Sequence, residues 1–304
     1  MANIQFGWSM PNGPRKASHR VSYVADLQRG LELIAGHYDS AWMIDHLQYD
    51  AAYLMEGWTA LSYMAALQPR LMFGNAVICQ SFRNPALLAK MAATFQYMSG
   101  GRFILGIGAG WKKDEYLSYG YDFPSPGTRV EELDETMQII NAMWRDERAT
   151  MRGKHYQVFD AWCEPKPDPL PPIMIGASKP RMLGLAARYA DWWNVSWTGI
   201  SDYRKKVAEC EQACAEFNRD PATLRRTWFG GCVCGPTEDA VKTLNVSGIS
   251  SANAFVGTPN QIIEQMLPFI ELGVDYFILS SHGFPDLTTL ETLIHEVLPS
   301  LQKL

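Results

Sequence analysis

Asp45 and His46 form the only adjacent acid–imidazole pair that follows a predicted strand in this sequence. An imidazole gains and loses a proton readily near neutral pH, which suits it to general acid–base catalysis. His46 is therefore the candidate catalytic residue, with a purely structural hydrogen bond as the alternative role. The other five histidines are interpreted as structural.

A glycine cluster ends in Trp111 and follows another predicted strand, with glycines at positions 106, 108 and 110. The dinucleotide-binding pattern G-x-G-x-x-G fails here, because its third position falls on Trp111 or on Lys113. A backbone without side chains lets a flat ring approach closely, and a flexible turn is the alternative. The cluster predicts contact with a planar ligand.

Small residues at Gly176, Ala177 and Ser178 precede a predicted helix. Free backbone N–H groups and the helix dipole make such a terminus a phosphate site, to which Ser178 would add a hydroxyl donor. The alternative is that Ser178 only caps the helix.

Several other kinds of chemistry lack support. The sequence contains no H-E-x-x-H, G-x-S-x-G or P-loop motif, and its six cysteines lack CxxC spacing. We expect the cysteines to be reduced and packed in the core, and we predict no metal site. With 27 Lys and Arg against 32 Asp and Glu, the net charge of −5 disfavours a nucleic-acid partner. No apolar stretch is long enough to span a membrane, and the N-terminus lacks a signal pattern, so a cytoplasmic location is expected.

Short apolar segments alternate with helix-like segments along the whole chain, a pattern typical of a parallel sheet covered by helices. The eight predicted strands cover residues 4–8, 39–44, 70–78, 102–108, 172–176, 191–196, 226–234 and 274–281. A closed (β/α)8 TIM barrel fits this length best, with irregular insertions after residue 144 and over 235–253. An open doubly wound sheet is the alternative. No linker divides the chain, so 1–304 is predicted to be a single domain. In such a barrel the residues that act on ligands follow the C-terminal ends of the strands.

These residues together resemble the luciferase-like monooxygenase superfamily, and within it the branch of oxidoreductases that depend on the deazaflavin coenzyme F420. The resemblance spans nearly the whole chain and rests on residues 38–47, 73–116, 123–144, 171–194 and 256–279. The block over 73–116, with its SGGR turn and GAGW sequence, is specific to the superfamily. The resemblance implies a luciferase-like TIM barrel that transfers a hydride between the deazaflavin and an organic substrate.

The resemblance also implies a role for each site residue. Asp45 and His46 would lie beside the pyrimidine ring and the substrate, and the Ala76–Val77 peptide would be a cis bond against the back of the ring. The remaining cofactor contacts would be Cys79, Gly108, Ala109 and Gly110 at the ring and ribityl chain, and Gly176, Ala177 and Ser178 at the phosphate. A homodimer is expected on the same basis.

Trp111 departs from the pattern of the branch's sugar-phosphate dehydrogenases, which place a catalytic Glu directly after the Gly-x-Gly of strand four. This argues against glucose-6-phosphate as the substrate and predicts a more apolar pocket shared by Trp8, Trp111 and Trp193. Two alternatives remain open: an FMN-dependent monooxygenase of the same fold, served by a separate reductase, and a non-catalytic barrel that binds a flavin. A row of basic residues that could bind the acidic tail of F420 would favour the deazaflavin over FMN. The candidates are Lys112, Lys113, Lys179 and Arg181.

Overall fold

Eight parallel strands close into a barrel in the computed structural model, which describes residues 4–245 and 247–302. The strands are β1 (Gln5–Ser9), β2 (Ser40–Met43), β3 (Met72–Asn75), β4 (Phe103–Gly108), β5 (Ile173–Gly176), β6 (Trp192–Ser196), β7 (Arg225–Cys234) and β8 (Val274–Ser281). Each strand pairs with the next, and β8 pairs with β1, so the sheet has no open edge. The predicted TIM barrel is confirmed and the open doubly wound sheet is excluded.

Helices follow the strands and cover the outside of the barrel. They are α1 (Tyr23–Ile34), α2 (Gly57–Leu67), α3 (Pro85–Ser99), α4 (Pro126–Arg145), α5 (Pro180–Tyr189), α6 (Ile200–Glu216) and α7 (Pro259–Glu271), and three continuous segments, Thr288–Thr292, Leu293–Val297 and Leu298–Leu301, follow β8. Proline at the first helical position begins several of them, where its missing N–H costs no hydrogen bond. Pro259 is the first residue of α7, and Thr258 before it forms a capping box with Gln261.

The inside of the barrel is filled by large side chains from alternate positions of the strands. Trp42 lies there, fully buried, with Ile104, Met174 and Ile278. A Cβ atom added at Gly7 or at Gly74 would lie within 2.7 Å of the Trp42 ring. Glycine on the strands either side of β2 therefore makes room for this indole, and the packed interior leaves only the C-terminal end of the barrel open to a ligand.

Four segments differ from the sequence prediction. The segment predicted to be irregular over 235–253 contains a short helix, Glu238–Leu244. The strand predicted over 70–78 breaks after Asn75, and Ile78–Cys79 pairs separately with β4. The segment predicted to be irregular after α4 contains an antiparallel hairpin of Ala149–Arg152 and Gln157–Ala161. A three-residue strand, Phe255–Gly257, pairs beside the end of β7. Within the described ranges, no helix is both long and apolar enough to cross a membrane.

The SGGR turn joins α3 to β4 and ties both to the end of α2. Gly100 and Gly101 adopt positive φ angles of 67° and 89°, which end the helix. Arg102 then donates to the carbonyl oxygens of Ser99, Ala65 and Leu71 at 2.8, 3.1 and 2.7 Å, and to that of Gln68 at 3.1 Å. One guanidinium therefore satisfies the free carbonyl groups where two helices end.

We expect Arg102→Leu to lower the free energy of unfolding by about 1–3 kcal/mol, because these carbonyl groups lose a charged donor. Arg70→Leu is the matched control, since Arg70 is exposed and its side chain has no partner in the described ranges. Urea unfolding followed by circular dichroism measures both variants. Equal stability of the two variants would contradict the role given to Arg102.

Candidate active site

A cavity of about 1270 Å³ opens at the C-terminal end of the barrel. Every residue predicted to bind the cofactor lines it: Asp45, His46, Ala76, Val77, Cys79, Gly108, Ala109, Gly110, Gly176, Ala177 and Ser178. These residues come from segments that follow β2, β3, β4 and β5, far apart in the sequence but adjacent around the barrel. The structure therefore brings the predicted set together in one place.

His46 is held by a carboxylate that follows β4. Its Nδ1 atom lies 3.0 Å from Oε1 of Glu115, whose side chain is only 3% exposed. The other oxygen, Oε2, accepts from the Leu47 backbone N–H at 3.0 Å. Because an ionised carboxylate only accepts hydrogen bonds, it fixes a hydrogen on Nδ1 and leaves Nε2 as the atom that exchanges a proton. Glu115 thus fixes the orientation of the His46 ring.

Two aromatic rings fix the plane of the same imidazole. Tyr49 and Trp111 meet it edge to face, with ring centroids 5.3 and 5.6 Å away and interplanar angles of 84° and 86°. Trp111 lines the cavity, as predicted, yet its side chain is 64% exposed. These rings limit the rotation of His46 and give the mouth of the cavity an apolar surface.

Asp45 is buried, and its carboxylate binds groups of the protein itself. Arg83 donates to both oxygens at 2.7 and 2.8 Å, and the Cys79 N–H donates to Oδ2 at 2.9 Å. Arg83 also donates to Glu56, which caps the N-terminus of α2. Burial raises the pKa of the Asp45 carboxyl, and the hydrogen bonds and charge of Arg83 partly offset that effect. Asp45 therefore fixes the position of the chain at Cys79, and with it the Ala76–Val77 peptide bond that comes shortly before.

The Ala76–Val77 peptide bond is cis, as the resemblance implied. Val77 follows it and projects across the ends of β4 and β5. A Cβ atom at Gly108 would lie 2.8 Å from Val77 Cγ2, and one at Gly176 would lie 3.5 Å from Cγ1. Glycine at position 108 thus makes room for Val77, whose methyl groups form an apolar surface on the cavity wall.

Gly110 packs against a buried thiol. Its φ angle is 72°, and a Cβ atom there would lie 2.0 Å from the Tyr116 hydroxyl oxygen and 2.6 Å from Cys79 Sγ. Cys79 and Tyr116 are hydrogen-bonded at 2.9 Å. Burial raises the pKa of the Cys79 thiol to about 11, so it stays protonated and unreactive at neutral pH. All six cysteines are free and buried.

The predicted phosphate segment lies at the start of α5. Lys179 is the N-cap residue there, and no side chain caps the helix. The alternative in which Ser178 caps α5 is therefore wrong, and Ser178 lines the cavity instead. The uncapped N–H groups of this terminus and the Ser178 hydroxyl form a donor set suited to a phosphate.

Two of the three tryptophans predicted for the substrate pocket lie elsewhere. Trp8 is fully buried beneath α1, where its Nε1 donates to Ser281 at 2.9 Å. Trp193 is also fully buried, donates to the Ala177 carbonyl at 2.8 Å, and stacks on Tyr203 of α6. Strand side chains alternate between the two faces of the sheet, and both indoles are on the outward face. Their assignment to the pocket is wrong.

Sequence reasoning missed Glu115 and Arg83, which hold the predicted pair in place. Glu115 belongs to the short helix Lys113–Ser118, and Arg83 lies just before α3. Both are charged residues within the block over 73–116, but no local pattern shows which distant side chain they contact. The available sequence signal for Glu115 was an acidic pair, Asp114 and Glu115, soon after the GAGW sequence.

The closed barrel and the position of this cavity define a (β/α)8 protein with its ligand site at the C-terminal face. A model of the luciferase-like monooxygenase family matches residues 4–251, and the chain belongs to that family. The predicted family is thereby confirmed.

Relatives with assigned activities align over much of the chain. An F420-dependent glucose-6-phosphate dehydrogenase from Microbacterium testaceum is 35% identical over 302 residues, covering 88% of this chain and 90% of that protein. A phthiodiolone/phenolphthiodiolone dimycocerosates ketoreductase from Mycobacterium sp. (strain JLS) is 33% identical over 243 residues, covering 69% of this chain and 61% of that protein. The structure of an F420-dependent secondary alcohol dehydrogenase with an F420–acetone adduct superimposes with a TM-score of 0.83 at 20% identity, over 97% of this chain and 98% of that chain. At 20% identity, the similarity to the secondary alcohol dehydrogenase shows the fold alone.

We expect Arg83→Met to lower the free energy of unfolding by about 3–5 kcal/mol, because it leaves the buried Asp45 carboxylate without its cation. The loss of unfolding free energy relative to the parent protein should be smallest below about pH 4, where the Asp45 carboxyl is protonated in both the folded and the unfolded state. It should grow as pH rises, because folding raises the pKa of this carboxyl and so disfavours its ionised form. Urea unfolding across this pH range measures the effect.

The double variant Asp45→Asn, Arg83→Met is the matched control, because it removes the buried charge as well as its partner. It should recover most of the lost stability. No recovery in the double variant would show that Arg83 stabilises the protein through Glu56 or through packing instead.

Proposed function

We propose that the protein is an oxidoreductase that uses coenzyme F420 to transfer a hydride to or from an organic substrate. The arrangement that carries this proposal is His46, which Glu115 orients and which lines the same cavity as Val77. The relative from Microbacterium testaceum, which aligns over 88% of the chain, supports the same cofactor.

The residues that line the cavity suit a cofactor with a flat ring and a phosphate group. Val77 would present an apolar surface to one face of the ring, and the Gly108 backbone, which has no Cβ atom, would lie beside it. The uncapped start of α5 at Ser178 would hold the phosphate. When bound, F420 supplies the centre that accepts or donates the hydride.

The residues of the chain supply binding and proton chemistry. His46 Nε2 takes a proton from a substrate hydroxyl during oxidation, or returns one to a carbonyl oxygen during reduction. Glu115 stabilises the positive charge that develops on the imidazole, as a carboxylate behind a histidine does in other acid–base pairs. Tyr49 and Trp111 cover the ring and exclude water from one side.

The residue type at position 111 indicates the class of substrate. An indole there in place of a carboxylate supports an organic substrate with an apolar part rather than glucose-6-phosphate, although a relative is named for that sugar phosphate. We also propose a single domain over 1–304, because no linker divides the sequence, and a homodimer, which the resemblance implies.

We expect F420 to bind the purified protein and to quench its tryptophan fluorescence, while FMN at the same concentration does not. Trp111→Phe should lose part of this signal without losing affinity, because Trp111 lines the cavity. Calorimetric titration gives the affinities independently of fluorescence. Tight binding of FMN alone would refute the proposal and favour the monooxygenase alternative.

We expect His46→Ala to lower turnover by about 10²–10⁴-fold, because the proton-transfer group is lost. Glu115→Gln should lower kcat more than it raises KM, because a neutral amide stabilises the charged imidazole less. Oxidation of reduced F420 by aldehydes, ketones and enones, followed by the visible absorbance of F420, is the assay.

The affinity for F420 is the internal control in both variants and should change little. A variant His46→Ala with undiminished turnover would remove His46 from the reaction. A wild-type protein that binds F420 but turns over none of these compounds in either direction would support the non-catalytic barrel.

A further inference from the structure

The cavity wall carries positive charge that no carboxylate neutralises. Its two acidic residues are both engaged, Asp45 with Arg83 and Glu115 with His46. Its three basic lining residues are Arg15, Arg20 and Lys179. In the described part of the chain, none of these three has a carboxylate oxygen within 4.0 Å.

These cations lie on two opposite sides of the barrel. Lys179 follows β5, beside the Gly176–Ser178 segment proposed to hold the cofactor phosphate. Arg15 and Arg20 lie between β1 and α1, and three strands separate β1 from β5 in either direction around the closed sheet. A cofactor phosphate at β5 therefore leaves the two arginines unused.

The segment that carries Arg15 is anchored to the end of β2. The Asn12 side chain donates to the Ile44 carbonyl at 2.7 Å and accepts from the Ile44 N–H at 3.2 Å. The Asn12 carbonyl accepts from the Met55 N–H at 2.7 Å, and the Tyr23 hydroxyl donates to the Pro11 carbonyl. These bonds fix the chain just before Arg15 and hold that residue at the rim of the cavity.

Each arginine is oriented by a neutral group rather than an acid. The Arg20 guanidinium carbon lies 4.8 Å from the centre of the Tyr53 ring, a stacked position that leaves N–H groups free at its edge. Arg15 Nη2 lies 3.4 Å from Nδ1 of His282, which is 5% exposed. Burial and the nearby Arg15 lower the pKa of His282 to about 4, so this ring is neutral and accepts from Arg15.

The neutral His282 ring adds a second observation. Nδ1 also lies 3.3 Å from the Ser247 hydroxyl oxygen. Because a guanidinium can only donate, Nδ1 accepts and the hydrogen lies on Nε2, a buried atom for which the described residues provide no hydrogen-bond partner. The neighbouring Ser281 and Phe284 line the cavity. The corner formed by β1 and β8 therefore has cationic donors and a buried N–H group, and the described residues provide no carboxylate for them.

We propose that Arg15 and Arg20 bind an anionic group of the substrate, which is then an organic anion, a carboxylate or a phosphate ester, with an apolar body. This rests on the proposed function and specifies its substrate class. A guanidinium presents paired N–H groups that match the oxygens of either anion. Met10, Pro14 and Phe284 line the same side of the cavity and provide apolar contacts for the body of the substrate.

Three matched probes test the subsite by calorimetry with F420-loaded protein: 2-naphthoate, 2-naphthyl phosphate and the neutral 2-naphthamide. We expect at least one of the anions to bind about tenfold or more tightly than the amide, as charged hydrogen bonds would provide. Arg15→Ala and Arg20→Ala should each reduce that preference, and added salt should weaken it. Lys16→Ala is the control, because Lys16 carries the same charge on the same segment but does not line the cavity.

The tail of F420 is the competing occupant, so each variant is also titrated with F420 that carries or lacks its glutamate residues. Unchanged affinity for both forms supports a substrate subsite, whereas a loss confined to the form with the tail would overturn it. Equal binding of anions and amide, no binding of either anion at millimolar concentration, or a preference that survives both substitutions would also overturn it. The probe titrations are repeated without F420, because the arginines do not need the cofactor in order to bind an anion. Failure of the anion subsite can therefore be distinguished from failure of the cofactor proposal.

Discussion

The buried ion pair between Asp45 and Arg83 joins the segments on which the rest of the site depends. Asp45 ends the segment after β2, Arg83 precedes α3, and the Cys79 N–H lies between them in the hydrogen-bonded group. Two charges removed from water are stable only when their hydrogen bonds are complete. The pair therefore allows little movement of His46, the next residue, or of the cis peptide just before Cys79.

The segment from Val77 to Cys79 packs so closely against the end of β4 that glycine is needed at positions 108 and 110. Val77 lies within reach of the Gly108 backbone, and the Cys79–Tyr116 pair lies against Gly110. The glycine cluster therefore makes room chiefly for the protein's own side chains, and the cavity wall beside it stays flat as a result. The prediction of a planar ligand and this packing role are compatible, since both require a backbone without Cβ atoms.

Periodicity predicted the barrel because each buried strand and each amphipathic helix is encoded locally. The ends of β2, β4 and β5 could also be predicted, and with them the segments that carry His46, Gly108 and Ser178. The outward direction of Trp8 and Trp193 could not, because it depends on the register of neighbouring strands. Glu115 and Arg83 could not be assigned either, since each acts on a residue at least 38 positions away, a contact that only the closed sheet creates.

The pairing of charges then determines which groups remain available for a ligand. Glu115 uses one oxygen for His46 and the other for the Leu47 N–H, so it orients a base without being one itself. Asp45 is likewise committed to Arg83. Among the residues described at the cavity wall, His46 is the proposed site of proton exchange, while positive charge without a carboxylate partner is concentrated on Arg15, Arg20 and Lys179. A wall with one acid–base group and an excess of cations selects an anionic ligand that undergoes proton-coupled chemistry at a single point.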